Sequence, residues 1–354
     1  MRNDHVLRIA YIRRSQFAIR HSRGEFMTQI GTNGYYAGSN LEKVIRSGEF
    51  VVTGELGPPQ GWEREEIEHK AQLLKGIVDA VNLTDNQTAI VRMSSIAAAR
   101  ILVEEGLEPV MQMTCRDRNR LGMQSDLLGA YALGIRNVLA LSGDHQVFGN
   151  HPTAKNVHDI DSMQLIKMIH DMGEEGVLVN GDEIEGGPMP MLVGAAANPF
   201  ADPFDFRPYR LAKKVAAGAR FIQTQLIYHM DRFHEYMKRA VDMGLHEKVA
   251  ILAGVGPLKS SGAARYMRDK VPGMMVEDYY VDEMVKSLQG IPKEEKAARR
   301  QALRQRGIEL CIEQIEQIKE IEGVAGVHIM AIEWEEAVRP IVEGAGLLPR
   351  PAFD

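Results

Sequence analysis

Cysteine is almost missing from this chain: Cys115 and Cys311 are the two in 354 residues. Two thiols cannot build a disulfide framework, and they are too few to ligate an iron–sulfur cluster or a structural zinc within the chain. A reducing, cytoplasmic location is expected. Long apolar runs are missing too, since charge or glycine interrupts every candidate well short of the ~20 residues that span a bilayer. There is no basic excess: the formal net charge is −6, which gives no general attraction to a phosphate backbone. Nucleic acid and membrane are therefore not expected partners. His145, His151 and His158 share one loop, but no HxH or HExxH spacing marks a metal centre. No GxGxxG links a strand to a helix, which excludes a separate dinucleotide-binding domain, and no long-period repeat suggests a solenoid.

What is present is an ordinary globular balance, 45% hydrophobic and 25% charged, with strands and helices in alternation. Apolar runs of strand length occur at 50–56 (FVVTGEL), 80–85, 108–114, 137–143, 190–198, 221–227, 248–256 and 324–332. Helical periodicity fills the gaps at 63–75, 94–106, 125–134, 162–173, 206–219 and 230–244, and again at 335–346. Eight such units predict an α/β fold, a (β/α)8 TIM barrel with an N-terminal extension and extra helices between strands 7 and 8. Those extra helices fall near 260–269, 279–288 and 293–320, the last with Glu309 and Glu313 set against Lys319 on a solvated face. An Asn-Gly-Asp turn within 176–187 predicts a small hairpin outside the barrel. Residues 41–354 form the expected single domain. Residues 1–40 form the extension, whose first 26 residues are rich in Arg and poor in acids. That composition fits a transit-like segment or a true start at Met27.

Parallel strands joined by helical crossovers present their C-terminal ends to one face, so polar residues at those ends meet in space. Here they are Glu55 before Gly57-Pro58-Pro59, Thr84, Thr114-Cys115, Ser142-Gly143-Asp144, Asn198 and Thr224-Gln225. Desolvation beside apolar residues and prolines favours the protonated form of a carboxyl such as Glu55 and suits it to general-acid work. An ion pair with Arg116 or Arg118 is its structural alternative. The amide of Gln225 carries both donor and acceptor groups. Arg210 and Lys214, one helical turn apart, are suited to a phosphate. Arg116 and Arg118 in CRDRNR could face an anionic tail or form a surface ion-pair network.

In order and spacing this set resembles the methylenetetrahydrofolate reductase family. The anchors are Glu55 with its prolines, LALSGD at 139–144, AGARFIQTQ at 217–225 and AGVGP at 253–257. The likeness covers about residues 48–260, with 324–346 matched by fold position. It implies flavin-dependent reduction of 5,10-methylenetetrahydrofolate to 5-methyltetrahydrofolate, within one-carbon metabolism and methionine biosynthesis. FAD is the implied cofactor, with FMN the alternative. On this reading Glu55, Asp144 and Gln225 are catalytic and bind the folate. Thr84, Gln112, Ser142, Gly143, Asp144, Asn198, Arg210 and Lys214 contact the flavin. Electrons come from NAD(P)H or from an iron–sulfur donor subunit, and the chain is expected in an oligomer or complex. Departures from the family pattern are Gln112 for a His, Ser142 for an Arg, and Gly194 and Asn198 where a Tyr and a His contact the flavin. Two rival functions are a pterin-binding methyltransferase barrel without flavin and a non-catalytic barrel subunit of a redox complex.

Overall fold

The computed structural model describes residues 36–271 and 273–353. The Arg-rich segment and the alternative start at Met27 lie outside the described residues. Eight strands close into a barrel in the order β1 to β8. They are Val51–Leu56, Ala80–Leu83, Pro109–Thr114, Asn137–Leu141, Leu192–Ala197, Phe221–Leu226, Ala250–Val255 and Val324–Ile329. Every neighbouring pair is parallel, and β8 returns to β1 with Thr53 opposite His328. All strand ends therefore share one mouth.

The helices are α1 Asn40–Ser47, α2 Arg64–Leu74, α3 Ser95–Glu104, α4 Arg120–Ala132, α5 Ser162–Glu174 and α6 Arg207–Ala216. They continue with α7 Met230–Asp242, α8 Ser261–Lys270, α9 Asp278–Lys286, α10 Lys296–Lys319 and α11 Val338–Gly344. Their starts carry side-chain caps where the sequence supplies them: Ser94 for α3, Asn119 for α4, and Asp161 with Gln164 as a capping box for α5. The Asn119 cap begins α4 at Arg120, ahead of the expected 125. In that first turn Leu121 is exposed and only Met123 is buried, so the apolar periodicity is broken there and does not mark the start. The 176–187 segment makes one antiparallel bridge, Val177 with Glu183, as a small turn outside the barrel.

Residues 36–39, expected within the extension, pack on the body. Tyr36 is buried, and the backbone N–H groups of Tyr36, Ala37 and Gly38 donate to the Glu42 carboxylate. From this anchor α1 lays Leu41, Val44 and Ile45 against the lower barrel interior, where Val51, Ala80, Val110, Leu139, Leu192, Phe221 and Leu252 cluster. The bottom of the barrel is thus sealed by an apolar layer.

Between β7 and β8 the three additional helices form a cluster of their own, with Tyr228, Leu258, Met274, Tyr280, Met284 and Leu310 at its centre. Helix α10 buries Leu310, Cys311, Ile315 and Ile318 and exposes its charged face. On that face Glu309 and Glu313 pair with Arg306, and Lys319 pairs with Glu316, rather than in the expected combination. Spacing explains the exchange, because residues three or seven apart on a helix share a face, whereas Lys319 lies six and ten residues from Glu313 and Glu309. At the other end of the chain, Arg350 donates to Asp79 and to the Phe50 carbonyl, tying the C-terminal stretch to the starts of β1 and β2.

Candidate functional site

A cavity of about 370 Å³ opens at the C-terminal mouth. Glu55, Gln112, Ser142, Asn198, Arg210, Lys214 and Gln225 all line it, brought together from β1, β3, β4, β5, β6 and α6. Three expected residues do not. Asp144 is exposed on the rim, and its backbone carbonyl accepts from Arg116. Gly143 has a positive φ of 86°, and a Cβ there would meet Thr114 and Arg116 at 3.1 and 3.0 Å. Its requirement for glycine is thus explained by the turn. Thr84 is buried beneath the rim, and its hydroxyl is without a hydrogen-bond partner.

Beneath the cavity lies a buried polar layer. The side-chain amides of Asn82 and Gln223 pair reciprocally at 2.6 and 3.1 Å, and Gln223 Nε2 also reaches Thr53 Oγ1 at 3.3 Å. Thr53 Oγ1 lies 2.9 Å from His328 Nδ1 but 3.5 Å from the Val327 carbonyl. Thr53 thus orients the imidazole through Nδ1 in either tautomer. Nε2 faces Glu55 Oε2 at 3.6 Å, too long for a hydrogen bond. The Glu55 side chain is 11% exposed and that of His328 3%. Glu55 pairs with neither Arg116 nor Arg118.

Those two arginines are committed elsewhere. Arg118 holds Asp85 through both terminal nitrogens and Asp126 through Nε, while Arg116 grips Asp117 and the carbonyls of Asn86 and Asp144. The ion-pair network, not an exposed anion receptor, is what CRDRNR builds at the mouth. Asn198 is also engaged: it donates to the Gly273 carbonyl and accepts from Phe200 and Ala201 N–H, fastening the end of β5 to the inserted helices.

On the opposite wall Lys214 donates from Nζ to the Ala196 carbonyl. Burial, reinforced by the nearby Arg210 charge, lowers its ammonium to about 8. Arg207 also lines the cavity but is held by the carbonyls of Ala201 and Asp202.

Sequence reasoning missed His328, Gln223 and Arg207. A histidine within VAGVHIMAI reads as a satisfied core residue, and its register opposite Thr53 is invisible before the barrel closes. Arg207 had a signal, lying three residues before Arg210 on one helical face. Gly194, named above as a departure from the family pattern, lies in the barrel interior, where a Cβ would come within 2.2 Å of the Phe221 ring. Among the described residues, no helix is long and apolar enough to cross a membrane, and no cluster of three or more His, Cys, Asp or Glu could hold a metal ion.

The residues fit a flavin on one count, the two cations Arg210 and Lys214 on one wall of the cavity, where a phosphate would find them. Comparison with known proteins identifies a family and a fold. The family description "Methylenetetrahydrofolate reductase" matches residues 40–346. A probable methylenetetrahydrofolate reductase (NADPH) from Caenorhabditis elegans is 24% identical over 73% of this chain and 35% of its own length. Methylenetetrahydrofolate reductase 1 of Schizosaccharomyces pombe is 25% identical over 68% of this chain and 36% of its own. The chain thus spans little more than a third of these curated relatives. Among solved structures, an uncharacterized Clostridium thermocellum protein that binds two copies of 5-methyl-5,6,7,8-tetrahydrofolic acid shares the fold. It has a TM-score of 0.55 at 12% identity, covering 87% of this chain and all of that one.

Proposed function

This chain belongs to the methylenetetrahydrofolate reductase family, and from that premise we propose that it reduces 5,10-methylenetetrahydrofolate to 5-methyltetrahydrofolate with a flavin, Glu55 serving as general acid. The observation that carries this reading is the convergence of Glu55, Gln112, Gln225 and Lys214 on one cavity at the barrel mouth. Ring opening of the imidazolidine needs a proton on the departing nitrogen, and Glu55 is the acid the cavity offers. His328, its ring oriented by Thr53 at Nδ1, faces the Glu55 carboxylate with Nε2 and would steady it once the proton has gone.

Gln225 accepts the Leu226 N–H through Oε1 at 3.0 Å, leaving its amide N–H groups as donors toward a pterin edge. Asp144 is proposed to meet the pterin from the rim. When bound, the flavin would supply the hydride. Lys214 and Arg210 would hold its phosphate, and Gln112, Ser142 and Asn198 would line its bed. FAD is the proposed form and FMN the alternative; NAD(P)H or an iron–sulfur partner subunit is the proposed donor.

Anaerobic purification, reduction of the bound flavin and mixing with 5,10-methylenetetrahydrofolate test the reading. Flavin reoxidation with formation of 5-methyltetrahydrofolate is expected. A bound flavin indifferent to the folate would overturn the substrate, and a colourless protein that binds no added flavin would turn the assignment toward the methyltransferase.

A further inference from the structure

Glu55 stands in the wall between two cavities. Besides the mouth cavity it lines a second chamber of about 340 Å³, on the side of α2 and the β8–α11 loop. None of the other mouth residues, from Gln112 to Gln225, reaches that chamber. Its walls carry Glu66, Glu333, Glu335 and Glu336 with Glu55, against the two cations Lys70 and Arg92. Lys70 is held by Glu66 at 3.1 Å and Glu335 at 3.4 Å, and Arg92 donates to the Pro58 carbonyl. Glu66, Ile332, Glu333 and Glu336 are exposed, so the chamber opens at the surface.

Two physical consequences follow. An excess of carboxylates repels folate tails and nucleotide phosphates, so neither substrate nor cofactor is drawn into this chamber. The same negative potential favours the approach of protons and hydrated cations. A carboxyl with one face toward a substrate cavity and the other toward a separate, solvent-connected, anionic chamber can change its proton while the first cavity is filled.

We propose that the second chamber is the proton route of Glu55: the carboxyl gives its proton to the departing nitrogen on the mouth side and regains one from solvent on the chamber side, before product leaves. This rests on the reading of Glu55 as general acid. Each turn moves one proton from solvent through Glu55 to the folate nitrogen, leaving the carboxyl as it began. Gly57 offers the way to test it. It lines the chamber and not the mouth cavity. A Cβ added there meets nothing nearer than the Gln87 and Thr84 oxygens at 3.8 Å, so Gly57→Leu fits and fills the space. Ile332→Trp blocks the outer end from an exposed position and guards against a folding defect in the first variant.

The experiment is a pH jump on the full chain, with and without saturating 5-methyltetrahydrofolate, following the Glu55 carboxyl band by infrared difference and identifying it with Glu55→Gln. In the unaltered protein, bound folate is expected to leave the rate of Glu55 protonation nearly unchanged. In either blocked variant the rate should drop by an order of magnitude or more, and only when folate is bound. Slow protonation of the unaltered protein once folate binds, or fast protonation in both blocked variants with folate in place, would overturn the route. Failure of the function itself reads differently, as an absence of 5-methyltetrahydrofolate binding.

Discussion

At the scale of single residues, the proposed function gives Glu55 the proton and Lys214 the phosphate. Replacing Glu55 by Gln keeps the size and removes the acid. The folate-dependent reoxidation of flavin is expected to fall by roughly 10²- to 10⁴-fold, the usual worth of a positioned general acid, while flavin content measured by its spectrum stays the same. Lys214 makes a pH prediction of definite sign. Its ammonium is lowered to about 8 in the free protein, and an adjacent phosphate favours the charged form. Flavin binding therefore takes up a proton above that pH. Affinity should be flat below about pH 8 and weaken above it, by up to about tenfold per pH unit. Lys214→Arg, charged throughout, should abolish the slope in a fluorescence titration. Much of this site was readable beforehand because a polar residue ending an apolar strand has few structural reasons to be there. His328 escaped since it sits within its strand, and Asp144 and Gly143 fell on the rim because the chain turns away at the positive φ of Gly143.

At the scale of elements, the strands and most helices followed directly from periodicity, and the outcome turned on packing where periodicity is silent. Gly194 illustrates the point. In sequence it is only a departure from the family pattern; in the barrel it is the space occupied by the Phe221 ring. Gly194→Ala should destabilise the fold by about 1 to 3 kcal/mol through overpacking, and Phe221→Leu in the same chain should restore part of the loss, both read from urea midpoints. The inserted helices show the other limit of sequence reading. Their existence was evident, whereas their attachment through Asn198 to Gly273, and through Gln314 to the Ile227 carbonyl, is a matter of side chains meeting across 75 and 87 residues of chain. No local pattern encodes such a meeting.

At the scale of the whole molecule, closure depends on a clasp between the end of the chain and its first strands. Asp79 is buried, accepts the Val52 N–H at 2.7 Å and is paired by Arg350 at 2.6 Å. Removing Arg350 strands that charge. Arg350→Met should cost about 3 to 5 kcal/mol, the usual penalty for breaking a buried ion pair from one side. Urea unfolding reads the loss, and truncation after Leu348 should reproduce it. The barrel is also stratified: α1 and an apolar layer below, the Thr53, Asn82, Gln223 and His328 layer in the middle, the mouth above. For anyone breeding new substrate preferences into this chain, that stacking is a map of where variation is safe. Randomised libraries confined to the uppermost storey can explore new ligands on an unaltered foundation, whereas libraries that reach the middle storey will mix loss of proton handling with loss of folding and hide the winners.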